Sequence, residues 1–152
     1  MINKETEIKK AVLDEKTVNR LIELSGIWEE EGCTTGLIKN TAEDLREPVY
    51  AAYDGGEIIG YAFGHFYTQE KKAGYVQPGG KCFYLDELYV LPQYRSHGTG
   101  KRLFDAISAE AAEQADFLCL ATSTKDYKRV LKFYVEDGKM DFHDAFLTKK
   151  LK

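Results

Sequence analysis

A short turn over residues 93–104, QYRSHGTGKRLF, combines two glycines with three basic side chains. It lies between a strand-like apolar run and an amphipathic stretch, so the predicted helix has Lys101 and Arg102 in its first turn. The start of a helix carries unpaired N–H groups and a partial positive charge, and it normally favours acidic side chains. Basic residues fit there if an anion binds, and Gly98 and Gly100 would let that anion approach the backbone. The pattern therefore predicts a binding site for a phosphate or pyrophosphate.

Two common phosphate-binding motifs do not match this turn. A P-loop has a glycine five residues before the glycine of its Gly-Lys pair and Ser or Thr after the lysine, but Arg95 and Arg102 occupy these positions. The dinucleotide fingerprint has a third glycine where this chain has Leu103. The pattern that remains is R-x-x-G-x-G, and the alternative is a glycine-rich turn beside a solvated basic patch.

The elements that must position this turn follow from the periodicity of the apolar residues. Helices are predicted over residues 16–32, 41–47, 100–115 and 127–138, and strands over residues 7–13, 49–67, 81–91, 117–123 and 141–151. The run 49–67 contains Asp-Gly-Gly at 54–56, a strong hairpin signal, so it is read as two strands. The mixture of hairpins and alternating elements predicts an α/β or α+β class with a mixed sheet.

Composition limits the classes of protein that need to be considered. A chain of 152 residues, 43% hydrophobic and 30% charged, predicts a single domain over residues 1–152. A formal net charge of -4 argues against nucleic-acid binding through a global basic surface. The polar start and the absence of a run near ~20 apolar residues predict a cytoplasmic protein with no membrane partner. The three cysteines and three histidines show neither a disulfide framework nor metal-ligand spacing.

The residues Arg95, Gly98 and Gly100 after the strand LYVLP resemble the acyl-CoA pyrophosphate loop of the GNAT superfamily of N-acetyltransferases. The order of predicted elements is similar to that family over most of the chain. The resemblance implies a central mixed, mostly antiparallel sheet of six to seven strands flanked by about four helices. That sheet would be splayed between its fourth and fifth strands to admit CoA. Acetyl-CoA is the implied co-substrate, with no metal.

The resemblance also implies which residues bind the co-substrate through their backbone. The implied pyrophosphate loop consists of Arg95, Ser96, His97, Gly98, Thr99, Gly100 and Lys101. The preceding strand would pair with pantetheine through Leu88, Tyr89 and Val90. A main-chain amide of that strand is expected to polarise the thioester carbonyl. Relatives commonly have Asn where this chain has Tyr127, so that contact is lost, moved to Ser123 or Thr124, or replaced by packing.

Three residues are implied to take part in catalysis. Tyr134, in the pattern FYVEDG, resembles the family's tyrosine that protonates the departing sulfur, and its alternative role is that of a core aromatic. Asp86 and Glu87 correspond to the position of a carboxylate that takes the amine proton. Adjacent residues of a strand face opposite sides, so one of the two is expected to face the site. The resemblance favours Asp86, although an irregular sheet could exchange the roles.

The function implied by the resemblance is direct transfer of the acetyl group of acetyl-CoA to a primary amine. The acceptor is a small-molecule amine or a peptide amine, and the enzyme a monomer or homodimer. The acidic run Glu29–Glu31 is consistent with a cationic acceptor, since an acidic cleft concentrates protonated amines, and equally with a solvated helix end. The alternative is a catalytically inactive acyl-CoA-binding regulatory or interaction module.

Overall fold

The computed structural model describes residues 6–152, so the first five residues of the predicted domain lie outside the described part. The strands are β1 (Glu7–Lys10), β2 (Val49–Asp54), β3 (Glu57–Thr68), β4 (Lys81–Val90) and β5 (Phe117–Cys119). The α-helices are α1 (Glu15–Glu31), α2 (Thr99–Ala111) and α3 (Tyr127–Lys132). Two 3₁₀ turns (Ala42–Asp44 and Pro92–Tyr94) and a π-helical turn (Phe133–Asp137) complete the list.

The five strands form one open mixed sheet in the order β1-β2-β3-β4-β5. The first four strands are antiparallel, and β5 runs parallel to β4. The predicted hairpin is present: Gly55 and Gly56 connect β2 to β3 with φ values of 57° and 87°, which glycine adopts without steric cost. Helix α2 packs on β2, β3 and β4, while α1 packs on β3. Because α2 begins at the basic turn and packs on the sheet, the turn is held against the core.

Helix α1 has clear signals at both ends. Its N-cap is Asp14, whose carboxylate accepts a hydrogen bond from the Thr17 backbone N–H at 2.8 Å. It ends at Gly32, which has a left-handed φ of 65°. Leu21 and Leu24 on its inner face are fully buried against the sheet. None of the helices in residues 6–152 is long and apolar enough to cross a membrane.

The predicted counts of six to seven strands and about four helices are wrong for the described residues, which form five strands and three α-helices. Residues 41–47 form only a 3₁₀ turn, because the Asp44 carboxylate accepts the Thr41 backbone N–H at 2.7 Å and closes a single turn before Pro48. The predicted strand 141–151 has no regular structure. The last strand of the sheet, β5, spans only three residues and offers few backbone partners, so strand propensity alone does not extend the sheet.

Candidate active site

The sheet opens between β4 and β5. The two strands pair only where Cys82–Tyr84 lies beside Phe117–Cys119. Beyond Tyr84, β4 continues to Val90 without a partner on that side, so its backbone borders a cleft. A cavity of about 690 Å³ lies there, bounded by β4, the turn before α2, the segment after β5, and α3. The opening lies where the resemblance implied a gap between the fourth and fifth strands.

A strap of backbone closes one end of this cleft. The segment after α1 joins the segment after β5 through an antiparallel bridge between Thr34 and Thr124. The Thr35 N–H donates to the Ser123 carbonyl at 2.9 Å, and the Lys125 N–H donates to the Cys33 carbonyl at 2.7 Å. Sequence analysis did not find this strap, because the two segments lie about 90 residues apart and carry no shared motif.

The turn before α2 presents backbone to the cavity. Gly98 is the N-cap with a left-handed φ of 83°, and no side chain caps the helix. A Cβ atom added to Gly100 would lie 3.8 Å from Leu88 and Phe133, so the helix start approaches the cavity closely here. The free N–H groups of the first turn and the helix dipole create a positive potential at this point. This end of the cavity is suited to an anion.

The basic side chains of this turn are largely engaged elsewhere, contrary to the simple expectation that they face the anion. Arg95 donates to both carboxylate oxygens of Glu31 at 2.8 and 2.9 Å and to the Val90 carbonyl at 2.7 Å. Its guanidinium also lies 5.3 Å from the Tyr89 ring centroid. Lys101 pairs with the Asp105 carboxylate at 2.5 Å. Arg95 therefore fixes the end of α1 to the turn.

Replacing Arg95 with methionine is expected to lower the free energy of unfolding by about 1.5–3 kcal/mol, since Glu31 would lose a partly buried, charge-assisted pair in which one guanidinium nitrogen donates to both of its oxygens. The matched control is Lys101→Met, which breaks an exposed pair and should cost less than about 1 kcal/mol. Urea unfolding of both variants measures the difference. Equal losses would show that Arg95 does not stabilise the turn.

Eight of the ten predicted co-substrate residues lie on the cavity wall: Leu88, Tyr89, Val90, Arg95, Ser96, Gly98, Gly100 and Lys101. His97 and Thr99 do not. His97 is exposed, and the Thr99 side chain is buried 3.4 Å from the Thr6 hydroxyl. Residues on the wall that sequence analysis did not single out include Trp28, Cys33, Leu37, Arg129 and Lys132. They come from loops and helices whose periodicity carries no signal of a cavity.

The two adjacent acids do not alternate across β4 as the residues of a regular strand would. Phe63 pairs with Glu87 and Gly64 pairs with Leu85, so Asp86 is an extra residue in a β-bulge. A bulge breaks the alternation of side chains along a strand and redirects them, often beside functional sites. Both carboxylate residues consequently line the cavity.

The two carboxylates have different surroundings. Asp86 lies 2.7 Å from His65 Nδ1 and 4.0 Å from Arg46. Glu87 accepts hydrogen bonds from the Asn40 side-chain amide at 2.9 and 3.1 Å and from the Tyr61 hydroxyl at 2.7 Å. Burial raises the pKa of the Glu87 carboxyl above its ordinary value, and these hydrogen bonds only partly oppose the increase.

Tyr134 lies on the cavity wall within a π-helical turn. That turn closes when the Gly138 N–H donates to the Phe133 carbonyl at 2.9 Å. A Cβ atom at Gly138 would lie 2.7 Å from the Tyr134 carbonyl oxygen, which explains the glycine of the FYVEDG pattern. The Tyr134 ring packs edge-to-face on Phe104 and Phe133. Burial raises its pKa to about 12, so the phenol stays protonated at neutral pH.

Tyr127, at the position where relatives commonly have Asn, is 54% exposed and does not line the cavity. Ser123 and Thr124, the proposed substitutes, do line it. Other hydroxyl residues of the cavity wall in this region are Thr34, Thr35 and Thr122. Within residues 6–152, no three histidine, cysteine or acidic side chains come together as a metal site would require.

A family model described as "Acetyltransferase (GNAT) family" matches residues 13–138 of the chain. No curated protein sequence matches the chain. The fold is similar to an aminoglycoside N-acetyltransferase AAC(6')-Iy in complex with CoA, at 13% identity over 100% of both chains with a TM-score of 0.68.

Two further solved structures have a similar fold. An aminoglycoside acetyltransferase from an uncultured soil metagenomic sample, in complex with sisomicin, has 18% identity over 97% of both chains and a TM-score of 0.65. A ribosomal-protein-alanine N-acetyltransferase from Brucella melitensis biovar Abortus 2308 has 17% identity over 95% of this chain and 100% of that one, with a TM-score of 0.63. At these identities the likeness concerns the fold.

Proposed function

The chain belongs to the GNAT family of acetyltransferases, and from this premise we propose that it transfers an acetyl group from acetyl-CoA directly to a primary amine. The observation that carries the proposal is the cleft between β4 and β5, with an uncapped helix start at one side and two carboxylates and a protonated phenol on its walls. These are the groups that an acyl transfer to an amine needs: an anion site, a base and an acid.

The residues of the cleft fit acetyl-CoA as co-substrate. The first turn of α2 would bind the pyrophosphate through backbone N–H groups. The unpaired edge of β4 from Leu88 to Val90 would accept pantetheine as an added strand. Lys132 adds positive charge to the α3 side of the cavity, where a further phosphate could bind, whereas Arg129 on the same side is paired with Asp126. Acetyl-CoA supplies a thioester whose C–S bond breaks as the bond from the acetyl carbon to the amine nitrogen forms.

Gly100→Val is expected to weaken acetyl-CoA binding by at least about tenfold, or 1.4 kcal/mol, because the branched side chain would occupy the space that a pyrophosphate needs at the helix start. This position is preferable to Gly98, whose left-handed φ would strain any other residue. Isothermal titration with acetyl-CoA measures the change.

The control for this prediction is Gly36→Val, a glycine with a left-handed φ of 76° that lies on the same cavity wall but in the strap, away from α2. The free energy of unfolding should fall at least as much in Gly36→Val as in Gly100→Val. The affinity for acetyl-CoA should nevertheless change less in Gly36→Val. A folded Gly100→Val protein with unchanged affinity would show that the pyrophosphate does not bind at this turn.

Glu87 is the better candidate for the base. Its carboxylate is bound by neutral donors, whereas Asp86 is hydrogen-bonded to His65 and lies 4.0 Å from the Arg46 guanidinium. A protonated primary amine has an ordinary pKa near ~10.4 and must lose a proton before it can attack. Glu87 would accept that proton, directly or through a water molecule. Tyr134 on the opposite wall would donate its phenolic proton to the departing thiolate.

The acceptor is proposed to be a cationic small-molecule amine. Asp86 and Glu87 contribute two carboxylates to the cavity, and the Trp28 ring, which stacks on Tyr89, contributes an aromatic part of its wall. Glu31 does not contribute free charge there, since it is paired with Arg95. Two of the similar folds belong to aminoglycoside acetyltransferases, which supports this class, while the similarity to a ribosomal-protein-alanine acetyltransferase keeps a peptide amine as the competing acceptor.

A thiol-release assay with acetyl-CoA tests the function against aminoglycosides, polyamines, amino acids and peptides with free amino termini. Thermal shifts with acetyl-CoA, CoA, ATP and NAD run in parallel, because only a ligand that binds the folded state stabilises it. Stabilisation by acetyl-CoA without turnover of any amine would favour an inactive acyl-CoA-binding module. Cys33 lies on the cavity wall. If the acetyl group is transferred directly to the amine, a Cys33→Ala variant should keep the wild-type rate.

A further inference from the structure

Glu87 lies within a set of hydrogen bonds contributed by two other elements. The Asn40 side-chain amide donates to Oε2 at 2.9 Å and to Oε1 at 3.1 Å. The Tyr61 hydroxyl donates to Oε2 at 2.7 Å. A carboxylate offers about four lone-pair sites, two on each oxygen. Both Asn40 contacts come from one amide nitrogen, so the two oxygens share that donor, while Oε2 alone also accepts the Tyr61 hydroxyl; Oε1 is the less engaged oxygen.

Both donors are themselves held in place. Asn40 is 8% exposed, and its backbone N–H donates to the Ser25 hydroxyl at 2.9 Å. The Ser25 hydroxyl in turn donates to the Ile22 carbonyl of α1 at 2.7 Å. This chain of hydrogen bonds ties the loop before the first 3₁₀ turn to helix α1. Asn40 therefore has little freedom to move away from Glu87.

Tyr61 is equally constrained, and by packing instead of hydrogen bonds. It is fully buried in the middle of β3. Its ring stacks on Phe63 with centroids 5.9 Å apart and lies 6.1 Å from the ring of Tyr89. The burial and the nearby Glu87 carboxylate raise the pKa of Tyr61 well above its ordinary value, so its hydroxyl remains a donor.

We propose that Asn40 and Tyr61 are positioning residues that hold the Glu87 carboxylate in one orientation and leave its less engaged oxygen, Oε1, to the acceptor amine. This inference rests on the proposed function, because it gives Glu87 the role of base. Neither residue touches the reacting atoms; each acts through Glu87. Oε1, the less engaged oxygen, is the one from which Glu87 would accept the amine proton.

The charges around Glu87 determine the sign of the expected effect. Asp86 on its own strand and Asp44 on the 3₁₀ turn raise the pKa of Glu87, in addition to the larger effect of burial. The donors from Tyr61 and Asn40 oppose this increase, since they bind the charged form. Removing either donor must therefore raise the pKa of Glu87 further and shift its ionisation to higher pH.

The test is the pH dependence of kcat/KM for the best acceptor, measured for wild type, Tyr61→Phe and Asn40→Ala. The acidic limb should move to higher pH by about one unit in each variant, with the KM for acetyl-CoA unchanged. The matched control is Tyr50→Phe, which removes another 2.7 Å tyrosine-glutamate hydrogen bond, to Glu110, away from the cavity. Its profile should equal that of wild type even though it loses a comparable contact.

Carbon NMR titration of the Glu87 carboxyl, assigned with Glu87→Gln, separates this inference from the proposed function because it needs no substrate. A raised Glu87 pKa in Tyr61→Phe and Asn40→Ala supports the positioning role even if no amine is acetylated. An unchanged pKa in both variants overturns it, also in an enzyme that proves active. If Tyr61→Phe does not fold, Asn40→Ala decides alone, since Asn40 lies in a loop outside the sheet.

Discussion

Replacing Tyr134 with phenylalanine is expected to lower kcat by roughly 10²–10⁴-fold, the usual range for a lost general acid. The substitution removes only the hydroxyl and keeps the edge-to-face packing on Phe104 and Phe133. The departing thiolate needs a proton in the transition state more than in the ground state, so kcat should fall while acetyl-CoA affinity stays within about twofold. Stopped-flow or steady-state rates under conditions where chemistry is limiting measure the effect.

Tyr127→Phe is the matched control for this change. It removes a tyrosine hydroxyl only seven residues away along the chain, but from a side chain that is exposed and off the cavity wall. Its kcat should equal that of wild type. A Tyr134→Phe enzyme with nearly normal kcat would mean that water or another group protonates the sulfur, and Tyr134 would then be a core aromatic.

The second large effect is expected for Glu87→Gln, which keeps the shape of the side chain and removes its charge. Loss of the base should lower kcat/KM for the acceptor by roughly 10²–10⁴-fold near neutral pH. The loss should shrink as pH rises towards the ordinary pKa of the amine, because a growing fraction of the acceptor is then already deprotonated. A pH profile of kcat/KM for both proteins measures this.

Asp86→Asn provides the comparison that decides between the two acids. The Asp86 carboxylate already contacts His65 and Arg46, so we expect a much smaller loss of kcat/KM for the acceptor. The loss should appear mainly as a higher KM for the acceptor, because the cavity then has one carboxylate fewer to attract a cation. If Asp86→Asn loses more activity than Glu87→Gln, the roles are exchanged, and Asp86, which the resemblance favoured, is the base.

Local sequence was sufficient for the features that depend on neighbouring residues. The turn around Gly98 and Gly100, the hairpin at Gly55 and Gly56 and the end of α1 at Gly32 were all predicted from local patterns, and the structure has them. Each depends on a backbone conformation or a helix end that a few adjacent residues control. The family, too, was identified from the short pattern of the turn and confirmed by the match over residues 13–138.

The lengths of the strands and the pairing at the edge of the sheet could not be predicted in the same way. The segment 141–151 has a strand-like pattern, yet it forms no strand, and the sheet ends at a β5 of only three residues. Whether a segment becomes a strand depends on the backbone partner available to it, and the sequence of the segment does not contain that partner.

The chemistry of the cleft shows most clearly what the sequence determined and what the tertiary structure decided. The residue types Asp86, Glu87 and Tyr134 and their order along the chain were evident from the sequence. The bulge that brings both acids to one cavity depends on how β3 pairs with β4. The donors to Glu87, Asn40 and Tyr61, lie 47 and 26 residues away from it along the chain. Such contacts exist only once the sheet has formed, because burial and hydrogen bonding between distant segments are properties of the packed chain.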